Sequence, residues 1–316
     1  MRIVVLDGHT LNPGDNPWDD LAALGALTVH DRTAPDQVMA RAAGAEVLLT
    51  NKTLLDAATL ARLPELRFIA VLATGYNVVD VDAARARGVP VANVPEYGTG
   101  DVAQHAIALL LELSQRTGAH ARAVAAGEWA RAPDFSFWLA PPRSLDGVTL
   151  GLVGYGRIAR RVAAIARALG MRVLAASPSR RGDPDGWRDV PALFDESDAV
   201  SLHCPLTAAN ARFVDAALLA RMRPGAVLIN TARGGLIDEP ALAAALRDGP
   251  LAAAALDVLA QEPPPADHPL VGLPNCVITP HIAWASLAAR RRLMAATVAN
   301  VAAFVAGAPV NVVNGG

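Results

Sequence analysis

An α/β architecture with two parallel-sheet domains is what this chain of 316 residues predicts. Three observations carry that expectation. Short β-branched runs alternate with helical stretches in two separate series, a long helical pattern lies between the series, and a 53% hydrophobic content can fill two cores.

In the first series the strands are RIVVLD, LTVHD, AEVLLTN, RFIAVLATG and VPVANVP. Near-continuous apolar runs of this length belong to strands covered on both faces, as in a parallel sheet. The crossovers between them are WDDLAALG, DQVMARAAG, DAATLARLP and VDVDAARARG. One long helix is then expected from near Gly100 through VAQHAIALLLELSQRTGAHARAVAAG, until PDFSFWLAPP ends all periodicity. A second series follows, with strands VTLGLVG, MRVLAAS, AVSLHCP, AVLINTA, LAAAALDV and NCVITPHI, and helices RIARRVAAIARALG, VPALFDESD, DAALLARM and EPALAAALRDG. Pro240 near the start of the last of these helices and Gly249 just past its end are the punctuation that helix termini favour. The chain closes with the helix ASLAARRRLMAATVANVAAFVAG. An N-terminal domain that recruits this helix would comprise residues 1–98 plus 285–316, with 99–284 as an insert.

Composition removes several function classes. A net charge of −2 without a long basic run gives no electrostatic footprint for nucleic acid or an anionic membrane. No uncharged apolar stretch reaches the length of a membrane span, since even AIALLLELSQ carries Glu112, and Asp7 interrupts the apolar start too early for a secretion signal. Cys204 and Cys276 form no CxxC pattern, so neither a disulfide framework nor a metal site is expected, and a reducing, cytoplasmic setting fits. Small-molecule chemistry is the class that remains. Lys52 is the one lysine among 28 basic residues, either a surface residue or a position that needs a compact ammonium.

GLVGYGRIARR places Gly154, Gly156 and Ala159 in a GxGxxA pattern between a strand and a helix, the context that makes this motif a Rossmann-like dinucleotide signature. The turn Gly154, Tyr155, Gly156, Arg157 and Ile158 would carry a diphosphate on the helix N-terminus. NAD-specific sites place an acid at the end of the next strand, but here Ser177 stands there, followed by Ser179, Arg180 and Arg181. Hydroxyls and guanidiniums suit a 2′-phosphate, so NADP(H) is the preferred cofactor, with NAD(H) possible.

Arg233 in NTARGGLID, Glu262 in LAQEPP and His281 in TPHIAWA fall at strand or loop ends, where open α/β sheets bind ligands. Reducing a ketone with hydride leaves an alkoxide, so an imidazolium must donate a proton. A carboxylate beside it fixes its tautomer and favours its charged form, and an arginine can hold a 2-oxo acid and polarise its carbonyl.

With GYGRIA, the ordered motifs NTARGG, DV…EP and TPH resemble the D-isomer-specific 2-hydroxyacid dehydrogenase family over essentially the whole chain, and TPHIAWA, DFSFW and VLATGYN resemble its glyoxylate/hydroxypyruvate reductase (glycerate dehydrogenase) branch. The resemblance implies Rossmann-like and flavodoxin-like domains with the active site in the cleft between them. Residues 1–98 plus 285–316 would bind substrate, and 99–284 the dinucleotide. It assigns Arg233 to substrate binding, Glu262 to partnering the histidine and His281 to proton donation. Asp257, Thr231, Ala232 and Val102 would lie near the nicotinamide, with His203, Cys204 and Pro205 along the cofactor. Thr74, Gly75 and Tyr76 would receive the substrate carboxylate through backbone N–H groups, with Lys52 adding positive charge. Trp284 would wall the substrate pocket. Trp138 either reaches a site, in this subunit or a partner's, or packs between domains. The expected reaction is reduction of hydroxypyruvate or glyoxylate to D-glycerate or glycolate, in a homodimer formed through the long helix. Other 2-hydroxyacid, phosphite or formate dehydrogenases, and a non-catalytic corepressor-like nucleotide sensor, are the competing readings. The remaining histidines, His105 and His268 among them, are expected to be structural.

Overall fold

A computed structural model describes residues 1–315. The chain divides into two compact units, Met1–Gly98 with the segment from Trp284 onward, and Thr99–Ala283.

The first unit contains β1 (Arg2–Val5), α1 (Asp19–Ala22), β2 (Ala26–Val29), α2 (Val38–Ala42), β3 (Val47–Thr50), α3 (Ala57–Ala61), β4 (Phe68–Val71), α4 (Val81–Ala86) and β5 (Val91–Ala92). Its strands are parallel in the order β2-β1-β3-β4-β5, the flavodoxin-like arrangement. The two-residue period of a strand sends Val4, Leu48 and Ile69 into one core and Ile3, Val5, Leu49 and Phe68 into another. The last helix of the chain, Leu287–Val305, belongs to this unit and brings Leu293, Met294 and Val301 to the second core. Phe304 stacks on Phe68 at 4.6 Å. Arg290, buried in that helix, pairs both its terminal nitrogens with Asp15, one at 2.7 Å, and Asn16 donates to the Arg290 carbonyl.

The second unit contains α5 (Thr99–Gln115), α6 (Thr117–Ala125), β6 (Thr149–Val153), α7 (Arg157–Ala168), β7 (Arg172–Ala176), β8 (Gly186–Trp187), α8 (Val190–Glu196), β9 (Ala199–Leu202), α9 (Ala216–Ala220), β10 (Val227–Asn230), α10 (Glu239–Asp248), β11 (Ala253–Leu256) and β12 (Cys276–Ile278), so the terminal helix is α11. Its seven parallel strands run β12-β11-β10-β9-β6-β7-β8, a doubly wound sheet whose order reverses at β6. Ala103, Ala106 and Leu110 of α5 share a core with Ala159, Val162 and Ala166 of α7, where small side chains let the helices approach.

Two expectations need correction. The long helix breaks after Gln115, because Arg116 adopts φ +49° and the Glu112 carboxylate takes the Thr117 hydroxyl and Gly118 N–H at the start of α6. Strand β8 is too short to show a period. Asp185 locates it, donating its N–H to the Val173 carbonyl and accepting the Val173 N–H at 2.6 Å. The PDFSFW segment is irregular, as expected, and leaves Phe135 and Trp138 exposed. Among the described residues no helix is long and apolar enough to cross a membrane.

Candidate active site

The glycine turn sits where β6 meets α7. Gly154 has φ +87°, and a Cβ there would lie 2.7 Å from the His203 carbonyl oxygen and 2.8 Å from the Cys204 nitrogen. Only glycine therefore lets the ends of β6 and β9 close together. At Gly156 the opposite holds, since no atom lies within 4 Å of a built Cβ. Gly156 also provides no side-chain cap for the 12-residue helix α7. Ala159 is fully buried against α5. A helix N-terminus without a side-chain cap, next to the open space at Gly156, fits a dinucleotide diphosphate.

Beyond β7, the Ser177 and Ser179 hydroxyls lie 3.2 Å apart. Arg180 and Arg181 are exposed, and among the described residues neither forms an ion pair. Of the two acids in this loop, Asp183 is exposed, whereas Asp185 is held by Arg167 at 2.9 Å and by the Val173 N–H. Its carboxyl sits below the usual range despite desolvation, because those two donors outweigh it. The residues directly after β7 thus offer hydroxyls and cations, with the exposed Asp183 carboxylate further along the loop.

At the other side of the sheet, the His281 Nδ1 lies 2.6 Å from Glu262 Oε2. The Leu259 N–H donates to Glu262 Oε1 at 3.1 Å, which aims the carboxylate. His281 Nε2 takes no partner among the described residues. The backbone of His281 is left-handed, φ +57°, a conformation costly for a non-glycine residue and held only where surroundings impose it. Asp257 imposes it. At 1% exposure, this carboxylate accepts the Thr279 hydroxyl at 2.6 Å, the Ile282 N–H at 2.9 Å and the Ala283 N–H at 2.8 Å, bracketing His281 on both sides. His105 of α5 completes the group, its Nε2 lying 3.0 Å from Thr279 Oγ1 and 3.4 Å from Asp257. Burial raises the Asp257 carboxyl, but the His105, Thr279 and backbone hydrogen bonds prevail and hold it below its ordinary value.

Arg233 follows β10. The buried Asn230 side chain donates to the Arg233 carbonyl at 2.8 Å and accepts the Ala232 N–H at 2.9 Å, so the turn is closed from within. The half-buried guanidinium donates once to the Ala232 carbonyl, and its other N–H groups take no partner among the described residues. An uncompensated, pre-organised guanidinium is what a carboxylate or developing oxyanion requires. Gly234 fits this turn against the next loop, since a Cβ there would fall 1.9 Å from the Leu259 carbonyl carbon.

A family model described as the NAD binding domain of D-isomer specific 2-hydroxyacid dehydrogenases matches residues 107–283. The chain belongs to this family. It is 46% identical to a hydroxypyruvate reductase of Blautia hydrogenotrophica, over 99% of this chain and 100% of that one. It is 42% identical to a glycerate dehydrogenase of Methylorubrum extorquens, over 88% of each. An NADPH-dependent glyoxylate/hydroxypyruvate reductase of Sinorhizobium meliloti, solved with NADP and malonate, superposes with a TM-score of 0.87 at 30% identity, over 99% of this chain and 96% of that one. The family resemblance of the motifs and the two-sheet α/β architecture are both borne out.

In the first unit of this dehydrogenase, the Thr74 hydroxyl donates to the Val94 carbonyl and Asn93 donates to the Thr74 carbonyl, fixing the turn after β4. The N–H groups of Thr74, Gly75 and Tyr76 take no partner among the described residues, and Tyr76 is exposed. By contrast, the nest formed by the N–H groups of Asn51, Lys52 and Thr53 is already filled by Asp7, at 2.7, 2.6 and 2.7 Å. Asp7 was visible in RIVVLD as an acid at a strand end, yet nothing local shows what it holds.

Other assignments change. Tyr155 is only 4% exposed, packed edge-on against Trp187 at 5.5 Å, which leaves its backbone alone for a cofactor. Asp257, expected beside the nicotinamide, also holds the His281 turn. His105 is part of that brace rather than mere packing, and His268 has a carboxylate partner in Glu239, 3.1 Å away. Trp284 packs edge-on with Tyr97 at 6.2 Å within the first unit. Cys204 is half-buried beside Gly154, Pro205 is exposed, Val102 and Ala232 are half-buried, and Thr231 Oγ1 is buried without a partner.

Proposed function

We propose that this dehydrogenase reduces hydroxypyruvate to D-glycerate, or glyoxylate to glycolate, with NADPH preferred over NADH. The observation that carries the chemistry is the His281–Glu262 pair, a tautomer-fixed imidazole whose Nε2 is open. Glu262 accepts the Nδ1–H, so that when the ring is an imidazolium its second proton lies on Nε2, from which it passes to the alkoxide that forms as the carbonyl is reduced and leaves the neutral Nδ1–H tautomer. A nicotinamide, when bound, supplies the hydride. Arg233 binds the substrate carboxylate and polarises the adjacent carbonyl, and the N–H groups of Thr74, Gly75 and Tyr76 receive the carboxylate. Gly154, Gly156, Arg157 and Ile158 form the diphosphate turn. Thr231, Ala232 and Val102 flank the nicotinamide, and His203, Cys204 and Pro205 border the cofactor. Ser177, Ser179, Arg180 and Arg181 support the NADPH preference, as does the NADP complex of the Sinorhizobium enzyme. The free cysteines suit a reducing, cytoplasmic setting, and the exposed Trp129, Phe135, Trp138 and Leu139 support a homodimer, which light scattering would test.

Steady-state assays of hydroxypyruvate, glyoxylate, pyruvate and bulkier 2-oxo acids with both nucleotides test the reading. Highest kcat/KM on the first two with NADPH is expected. Fast turnover of bulky acids alone would overturn the substrate class, and a clear NADH preference the cofactor choice. His281→Ala should lower kcat by roughly 10²–10⁴-fold, the usual weight of a general acid. Near-normal turnover would remove His281 from the chemistry.

A further inference from the structure

Glu262 is carried on a loop, 257–275, that contains three consecutive prolines and no regular structure before β12. A loop of that kind supplies few backbone hydrogen bonds of its own, so an aimed carboxylate on it needs an outside anchor. The anchor is visible at the start of α10. Glu239 is 11% exposed, and its two oxygens reach the loop at separate points. Oε1 accepts the Ala260 N–H at 2.8 Å, two residues before Glu262. Oε2 accepts from His268 Nε2 at 3.1 Å. The His268 side chain is 5% exposed, and its Nδ1 accepts the Leu270 N–H at 3.3 Å, which puts the ring proton on Nε2 and orients the donor toward Glu239. Asp238, the residue before Glu239, caps the helix through the Ala241 N–H, so the carboxylate projects from a fixed N-terminus. Gly234, on the turn that carries Arg233, packs against the Leu259–Ala260 peptide from its other side.

We infer that Glu239 and His268 are a positioning pair for the reaction, holding the Ala260 peptide so that Glu262 meets His281 Nδ1 at hydrogen-bond distance. Neither residue is placed on substrate or cofactor; both act through the loop. A misplacement of about 1 Å in such a group can cost on the order of 10²-fold in rate. The effect should therefore fall on kcat and spare the KM for nucleotide, whose turn lies between β6 and α7.

His268→Leu removes both hydrogen bonds of the ring, whereas His268→Gln keeps a donor near the Nε2 position. The Leu variant should lose roughly tenfold or more in kcat with nucleotide KM within about twofold, and the Gln variant should recover most of the loss. A double-mutant cycle of Glu239→Gln with Glu262→Gln gives the second readout. If Glu239 works through Glu262, its effect shrinks toward nothing once Glu262 is already changed, while a merely structural role gives the same factor in both backgrounds. Additivity in that cycle, or wild-type kcat in His268→Leu, would overturn the pair's role. Should His268→Leu not fold, the cycle decides alone. The inference rests on His281 being the proton donor. If His281→Ala retains turnover that reading fails, whereas loss there with no loss in His268→Leu fails this inference only.

Discussion

Two regions of the second unit handle their polar residues in opposite ways. Around His281 every turn is tied down, by Asp257 to Thr279, Ile282 and Ala283, by Glu262 to Leu259, and by Asn230 to the Arg233 turn. Around Arg180 the loop after β7 is exposed, and its two arginines have no carboxylate partner among the described residues. The difference follows from the work each region does. A proton donor must be aimed to within a fraction of an ångström, which demands a supporting shell of buried hydrogen bonds. A cation that selects a phosphate acts over a longer range and tolerates a mobile side chain, so charge alone suffices.

The largest effect is expected from breaking the tied region. Asp257→Ala would orphan the donors that now converge on a buried carboxylate, at a cost of about 3 kcal/mol in stability. It would also release the left-handed turn at His281, lowering kcat by roughly 10²-fold. Thermal unfolding and steady-state kinetics on the same preparation check both halves. A variant that melts earlier yet turns over normally would show that the brace serves the fold and not the chemistry.

The untied region should respond more mildly and more selectively. Replacing both Arg180 and Arg181 with alanine is expected to lower kcat/KM for NADPH by about tenfold, equivalent to ~1.4 kcal/mol, and to leave the NADH value nearly unchanged. Because the two side chains are exposed and unpaired, the melting temperature should hold. Equal losses with both nucleotides would mean that the arginines do not read the 2′-phosphate.

The same contrast explains what could be read from the sequence. Gly154, Gly156, Arg233, Glu262 and His281 each lie in a contiguous motif whose chemistry is local, so they were legible, as was the alternation of strands and helices. The supporting bonds were not. Thr279 meets His105 across 174 positions, and Thr53 meets Asp7 across 46, separations that leave no period in the chain. The break at Arg116 was hidden for a related reason, since Glu112 stabilises the start of α6 without disturbing the apolar pattern around it. Propensity reports the element, whereas the partner that ends it is a matter of tertiary contact.

The smallest effect is expected at the end of β9, which belongs to neither extreme. The backbone of His203 closes on Gly154, while its half-buried ring meets Ser201 Oγ at 2.9 Å. Desolvation pushes this imidazole from 6.5 down to about 4. The sign of the stability effect follows. Below pH 6.5 the unfolded chain takes up a proton that the folded ring refuses until about pH 4, so folding stability declines as the pH falls through that window. With allowance for partial exposure, the loss attributable to His203 is on the order of 2 kcal/mol. Urea unfolding of the wild type and of His203→Asn between pH 7 and pH 4 should show the variant losing less stability on acidification, with the difference levelling off near the lower end. Parallel curves would mean that the ring takes up its proton at the same pH in the folded and unfolded chain, and that the end of β9 is as open to water as the arginine loop.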